Sequence, residues 1–214
     1  MKSMTKQKPI EEIQQSLESL DKVFIVGCGT CTTLTNTGGV EQVDEMKDKL
    51  QEMGKWLTGA VVIPTACDDM TDVAMKENEQ AIRSADCLLS MSCALGVHRM
   101  SLYLDIPVIP AVDTLFIGVE ETPGLFREAC AQCGQCLLGI TAGVCPITAC
   151  HKSLVNGPCG GTNNGKCEVD SEKDCAWTLI YNRLKEQNRL HLMHQYQPPR
   201  NHHITLQPKS MKIS

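Results

Sequence analysis

Short apolar runs recur through the first half of the chain and end at glycine or polar residues. The run Val23–Val26 is mostly β-branched and stops at Gly27, which predicts a buried strand. Three further runs of the same kind lie at 60–63, just after Asp86, and at about 107–111. We therefore predict four short strands, all buried.

Between these runs, apolar residues return every three or four positions, as they do on one face of a helix. Helices are predicted over 9–20, 40–53, 70–83 and 96–103. Strands that alternate with helices are typical of a parallel sheet covered on both faces. The predicted fold class is α/β, with a small doubly wound (Rossmann- or flavodoxin-like) parallel sheet of about four strands.

The rest of the chain gives weaker signals. The first eight residues, before Pro9, are predicted to be a solvated leader with little structure, and a short helix is predicted over 124–130. An amphipathic helix follows Cys175, and the polar, proline-containing tail is expected to order only against a partner. The predicted organisation is an N-terminal segment (1–20), an α/β domain (21–121), a cysteine-rich cluster-binding domain with a closing helix (122–197) and a tail (198–214).

Composition excludes several functions. The net charge is −5 and aromatics are only 4% of residues, so neither a basic stripe nor a base-stacking surface is available for nucleic acid. No run of about 18 apolar residues occurs, so no membrane span is expected. The first twenty residues lack the apolar core of a secretory signal, which predicts a cytoplasmic protein whose thiols stay reduced.

Thirteen cysteines are therefore the main chemical feature of the chain, and eight of them lie within residues 130–175. That segment is rich in glycine and poor in strongly apolar residues, so it buries too little carbon to fold on a hydrophobic core. In a reducing compartment, so many thiols indicate metal or redox chemistry and not a disulfide scaffold.

Four cysteines follow predicted strands. Cys28 and Cys31 come after the first strand, Cys67 after the second and Cys93 after the third. Right-handed crossovers bring the carboxyl ends of parallel strands to one edge, where such folds bind ligands. We expect these four thiols to share a site there, with iron–sulfur or zinc as the ligand. Cys87, at the opposite end of the third strand, is predicted to be a core residue.

The loop that carries the first two of these cysteines, GCGTCTTLTNTGG, also has the glycine content of a phosphate-binding loop. It lacks both the G-x-G-x-x-G spacing and the G-K-[ST] ending, so a nucleotide site is not favoured.

The cysteine-rich segment begins with a ferredoxin-like pattern. Cys130, Cys133 and Cys136 are separated by two residues each, as are the first three ligands of a bacterial cluster motif. Cys145 precedes a proline as the fourth ligand does, but it lies further along the chain than the three intervening residues of that motif. The remaining cysteines are Cys150, Cys159, Cys167 and Cys175. Spacing alone suggests a second centre at 145, 150, 159 and 167, with 175 completing the first, but it leaves the pairing open.

The run CAQCGQCLLGITAGVCPITACHKSLVNGPCGGTNNGKCEVDSEKDCAW closely resembles the methylenetetrahydrofolate reductase C-terminal domain family, the small MetV-type iron–sulfur subunits of acetogen reductases. GCGTC at 27–31, CALGV at 93–97 and DTLFIG at 113–118 extend the resemblance over about residues 20–195. The resemblance implies an electron-transfer subunit bound to a catalytic flavoprotein, a TIM-barrel MetF-type subunit that holds FMN.

In such a complex the flavoprotein reduces 5,10-methylenetetrahydrofolate in the Wood–Ljungdahl pathway, and a further subunit could feed in electrons. Every cysteine except Cys87 is then a candidate ligand, which gives twelve: Cys28, Cys31, Cys67, Cys93, Cys130, Cys133, Cys136, Cys145, Cys150, Cys159, Cys167 and Cys175. Twelve thiolates suit three [4Fe–4S] clusters, or two clusters and one zinc ion. No catalytic residue is expected on this chain.

Two other functions were weighed. A zinc protein that only scaffolds the same reductase would use the same cysteines without electron transfer. A thiol–disulfide oxidoreductase could use Cys28 and Cys31, but it leaves the other cysteines unexplained.

Overall fold

A computed structural model describes residues 2–202 and 209–212. The chain forms two compact units, Met1–Ile117 and Gly118–Ser214, which divide inside one strand, while the sequence placed the corresponding boundary at 121/122. The strands are β1 (Lys2–Gln7), β2 (Lys22–Cys28), β3 (Trp56–Ile63), β4 (Cys87–Met91), β5 (Val108–Pro110), β6 (Val112–Thr122) and β7 (Leu125–Glu128). The α-helices are α1 (Ile10–Ser16), α2 (Cys31–Leu34), α3 (Val40–Glu52), α4 (Met70–Glu77), α5 (Glu79–Arg83), α6 (Ala94–Ser101), α7 (Pro146–Ala149) and α8 (Ala176–Glu186).

The first unit contains the predicted four-stranded parallel sheet. Its strand order is β3-β2-β4-β5, and every pairing is parallel. From β2 the chain adds β3 on one side, and then β4 and β5 on the other side. The carboxyl ends of β2 and β4 therefore flank the point where the direction of strand addition reverses. Open α/β sheets bind ligands at that point.

Helices cover both faces of this sheet. Alternate residues of β2 point to opposite sides: Val23 and Ile25 pack with α1 and α3, while Phe24 and Val26 pack with α4, α5 and α6. All four of these side chains are fully buried. Such burial explains why the strands read as continuous apolar runs.

The predicted helix over 70–83 is divided in the structure. Helix α4 ends at Asn78, whose side-chain amide donates to the Ala74 carbonyl at 2.9 Å, and α5 begins at the next residue. This local side chain to backbone hydrogen bond competes with the helical pattern.

The leader prediction was wrong, because residues Lys2–Gln7 form β1, which lies beside β6 in a three-stranded sheet of order β1-β6-β7. Its buried side chains include the polar Thr5, whose hydroxyl lies 2.6 Å from those of both Thr35 and Thr37. The segment looks too polar to be buried, and it is buried only because the loop after β2 supplies partners for its hydroxyl groups.

The short helix expected over 124–130 was also wrong. Pro123 and Gly124 form the turn of a hairpin between β6 and β7, with Gly124 at φ +80° and Val119 opposite Arg127. Arg127 pairs with Glu121 across this hairpin at 2.5 Å. A positive φ at glycine is the usual signature of such a turn.

The second unit has a small hydrophobic core. Val144, Trp177, Ile180 and Leu184 are buried together, three of them on the inner face of α8, as the predicted amphipathic stripe required. A 3-10 helix, Leu190–His194, packs against them. Much of the rest of this unit is turns and irregular backbone.

Among the described residues, no helix has the length and apolar content needed to cross a membrane. Residues 203–208 and 213–214 of the predicted tail lie outside the described part of the chain.

Candidate thiol sites

The loop after β2 is tied to its neighbours by backbone hydrogen bonds. The N–H of Cys28 donates to the Gly38 carbonyl at 2.9 Å, and the Gly29 N–H donates to the Ile63 carbonyl of β3 at 2.7 Å. A Cβ at Gly38 would overlap the Met91 carbonyl at the end of β4. Only glycine permits this close approach, so the loop holds the ends of three strands together.

The four cysteines predicted at this edge come close to one another. Desolvation raises the pKa of Cys67, and the charges of Cys93, Cys28 and Cys31 raise it further. Cys28 and Cys93 are almost fully buried, while Cys67 is exposed. The effect of the three other thiols on the pKa of Cys67 indicates that they lie near it at the carboxyl edge of the sheet, and we call these four cysteines the rim site.

Cys93 lies at the start of α6. It is the residue preceding Ala94, with an extended backbone, and the Ala94 N–H donates to the Thr114 hydroxyl at 2.8 Å. On the other side of the rim site, the Cys28 sulfur lies 3.2 Å from the Thr30 hydroxyl. Thr32 and Thr33 also donate to the Cys28 carbonyl, at 3.1 and 2.7 Å. These hydroxyl groups fix the loop that carries two of the thiols.

Cys87 lies away from this group, as predicted. It is fully buried in the core on the α3 side of the sheet, and burial raises its pKa to about 11. A thiol that is hard to ionise is a poor ligand, which fits a packing role.

A second group of thiols surrounds a cleft in the cysteine-rich unit. The cleft is small, and its lining includes Cys150, Cys159, Cys167 and Cys175 together with Lys152 and Glu168. This grouping, which we call the cleft site, differs from the one suggested by spacing, because it joins Cys175 to the later cysteines.

A tight turn explains how Cys167 and Cys175 reach the same cleft. Asn164 and Gly165 both have positive φ, 48° and 81°, as a two-residue type I′ turn requires. Short bridges then pair residue 163 with Lys166 and Lys166 with residue 174. The Cys175 N–H donates to the Gly165 carbonyl at 2.7 Å, which brings the two cysteines together.

Hydrogen-bond donors face the sulfurs of the cleft site. Burial would raise the pKa of Cys175, but hydrogen bonds from the backbone and hydroxyl of Thr178, the backbone of Trp177 and the Thr162 side chain leave that pKa below its ordinary value. The Gly161 N–H donates to the Cys159 sulfur at 3.4 Å. Donors aimed at sulfur stabilise the thiolate, the form that binds metal.

The ferredoxin-like motif has its own local order. Gln132 and Gly134 have positive φ, and the Gln132 N–H donates to the Cys130 sulfur at 3.3 Å. Hydrogen bonding to the backbone of Gln135, together with nearby Arg200, lowers the pKa of Cys133. Cys145 immediately precedes α7, where Pro146 occupies the first helical position. These local features concern individual thiols, and they do not show that the four cysteines lie together.

Across residues 2–202 and 209–212, no three Cys, His, Asp or Glu side chains are already arranged as a metal-binding group. The chemistry of the donors is nevertheless specific, because four cysteines line the cleft, three thiols lie near Cys67 at the rim site, and hydrogen-bond donors reach sulfurs in the cysteine-rich unit. Thiolate donors of this kind suit iron–sulfur clusters or zinc, and not magnesium or calcium.

Sequence reasoning missed the polar residues around the cleft. Lys152 and Glu168 lie within the cysteine-rich run, but no ligand spacing singles them out. Only the fold brings Lys152 to Glu168, 16 residues further along the chain, and Glu168 to the sulfur of Cys159.

The fold and its thiol sites define a mixed α/β protein with a cysteine-rich second unit. Residues 109–203 match the family described as "Methylene-tetrahydrofolate reductase C terminal". Over these residues the match agrees with the family resemblance that the motifs predict, and it associates that part of the chain with methylenetetrahydrofolate reductase.

Other comparisons add little. No curated protein matches the chain. An ABC transporter substrate-binding protein from Sphaerobacter thermophilus is similar at 17% identity over 49% of this chain, with a TM-score of 0.36. This chain covers only 28% of that protein, and a likeness at this level supports no functional conclusion.

Proposed function

We propose that this protein is the iron–sulfur electron-transfer subunit of a methylenetetrahydrofolate reductase complex. The observation that carries the proposal is the cleft site, where four cysteines and their hydrogen-bond donors meet inside the segment that matches the family. Iron–sulfur clusters supply one-electron transfer when bound, at potentials set partly by such hydrogen bonds.

Three sets of ligands follow from this proposal. Cys28, Cys31, Cys67 and Cys93 would hold one group at the rim site, and Cys150, Cys159, Cys167 and Cys175 would hold another at the cleft site. The remaining four, Cys130, Cys133, Cys136 and Cys145, are left as the third set, in agreement with their ferredoxin-like spacing.

The protein's own residues have a limited task in this function. The sheet edge and the tight turn hold the thiols in place, and the N–H and hydroxyl donors stabilise their charged form. Substrate chemistry would take place on the partner, an FMN-containing MetF-type flavoprotein, which exchanges electrons with this chain in the cytoplasm. A further electron-input subunit is compatible with this arrangement.

The test begins with iron, zinc and acid-labile sulfide in anaerobically purified protein. We expect about twelve iron atoms per chain with matching sulfide, or about eight with one zinc. Cys93→Ala should remove about four irons, and Cys167→Ala another four, while Cys87→Ala is the matched control that should keep them all. Zinc without sulfide would overturn the proposal in favour of a zinc scaffold.

The same preparation tests electron transfer itself. The dithionite-reduced chain, freed of excess reductant and mixed with the oxidised flavoprotein, should bleach the flavin absorbance. The Cys167→Ala chain should do so more slowly. A flavin that stays oxidised in the presence of the iron-loaded chain would contradict the electron-transfer role.

A further inference from the structure

A single ion pair lines the cleft site among its described residues. The Lys152 ammonium bonds the Glu168 carboxylate, whose Oε1 also lies 3.4 Å from the Cys159 sulfur. A paired lysine and glutamate carry their charges at neutral pH, and this pair lies beside one proposed ligand of the site.

The backbone around Cys159 is shaped to admit this pair. A Cβ at Gly161 would overlap the Glu168 carboxylate, and the N–H of the same glycine points at the Cys159 sulfur. A side chain at residue 161 would therefore displace the Glu168 carboxylate from its place beside Cys159.

Cys175 has different neighbours, because it receives hydrogen bonds from the backbone and hydroxyl of Thr178, which are neutral. Cys159 thus has a charged pair beside it, whereas these donors to Cys175 carry no charge. A fixed charge acts on any change in the charge of the site more strongly than a neutral dipole does at the same distance.

We propose that Lys152 is the counter-charge of the cleft site and favours its more negatively charged state, while Glu168 limits that effect. The inference rests on the proposed function, in which reduction adds one electron, and hence one negative charge, to the four-thiolate group. A nearby positive charge then raises the reduction potential, and a negative charge lowers it. Because both side chains are partly exposed, solvent screens the effect and keeps it modest.

The test compares the unaltered full chain with two variants that each remove one charge and with the double variant that removes both. Reductive titration with dithionite, followed by EPR, gives the potential of each variant. Lys152→Met should shift the potential of the cleft group downward and Glu168→Gln should shift it upward. Each shift should correspond to about a two- to fivefold change in the reduced-to-oxidised ratio at fixed potential. The double variant should return close to the unaltered protein.

The matched control is Lys185→Met. Lys185 is exposed on α8, about 15 Å along the helix from Cys175, and it does not line the cleft. Its replacement should leave the potential unchanged. Equal potentials in all variants, or shifts of the same sign in both single variants, would overturn the proposal, because a merely structural ion pair gives no opposite signs.

Failure of the proposed function would be seen separately, as protein that contains no iron. The counter-charge is then tested with Co²⁺, whose thiolate charge-transfer absorbance reports binding to the four-cysteine site. Co²⁺ displaces four thiol protons and leaves the four-thiolate site with a net charge of −2, so a nearby positive charge favours binding. Lys152→Met should therefore raise the Co²⁺ dissociation constant about two- to fivefold, and Glu168→Gln should lower it. Unchanged Co²⁺ affinity in both variants would overturn the inference.

Discussion

Each proposed site in the two units of this chain has four thiols, but the two folds are stabilised in different ways. In the first unit, two hydrophobic clusters cover the faces of the parallel sheet, and the rim site lies at its edge. In the second, a core of four buried residues supports a segment of turns that holds eight cysteines. The comparison teaches that the hydrophobic core of the first unit can position its thiols, whereas the small core of the second leaves its cysteine-rich segment in need of the metal that we propose it binds.

The largest expected effect separates the units by metal removal. Anaerobic chelation should abolish amide protection around residues 145–175, because structural metal bound to thiolates contributes about 10–16 kcal/mol to the folding of small domains. Amides of β2 and β4 should remain protected, since their hydrophobic contacts need no metal. Hydrogen exchange followed by mass spectrometry measures both regions in one sample. Retained protection in the cysteine-rich segment would show that its fold does not depend on metal and would contradict the contrast between the two units.

A core substitution tests whether hydrophobic contacts stabilise the first unit. Leu89→Ala removes a fully buried side chain from β4 and should lower the free energy of unfolding of this unit by about 2–5 kcal/mol. Leu102→Ala, at an exposed position, is the control and should change it by less than about 0.5 kcal/mol. Urea unfolding followed by circular dichroism gives both values. Equal values for the two variants would contradict the proposed division.

The smallest effect concerns pH and distinguishes the core thiol from the ligand thiols. Burial raises the pKa of Cys87 to about 11, above its ordinary value of 9.0. Between these pH values the unfolded chain loses the thiol proton while the folded chain keeps it, so stability falls as pH rises. The loss should reach at most about 2–3 kcal/mol by pH 11.

The measurement compares urea unfolding of the unaltered protein and Cys87→Ala at pH 8.5 and pH 10.5. The variant should show a shallower decline, because the other cysteines titrate equally in both proteins. Parallel declines would show that Cys87 does not keep its proton in the folded state.

Much of the first unit was predictable because its signals are local. The apolar runs gave the four parallel strands, and cysteines placed directly after three of them gave the residues of the rim site. The buried role of Cys87 followed from its position at the other end of its strand. Strand 112–122 was missed, since its residues are mostly exposed and lack a clear alternation.

The sequence by itself determined the α/β pattern, the inventory of thiols and the family motifs, because these depend on neighbouring residues and their spacing. Only the tertiary structure decided that Lys2–Gln7 is a strand, that Cys175 joins Cys150, Cys159 and Cys167, and that Lys152 meets Glu168 beside them. The physical reason is that burial of polar groups and grouping of distant thiols depend on partners supplied across turns, such as the one at Asn164 and Gly165.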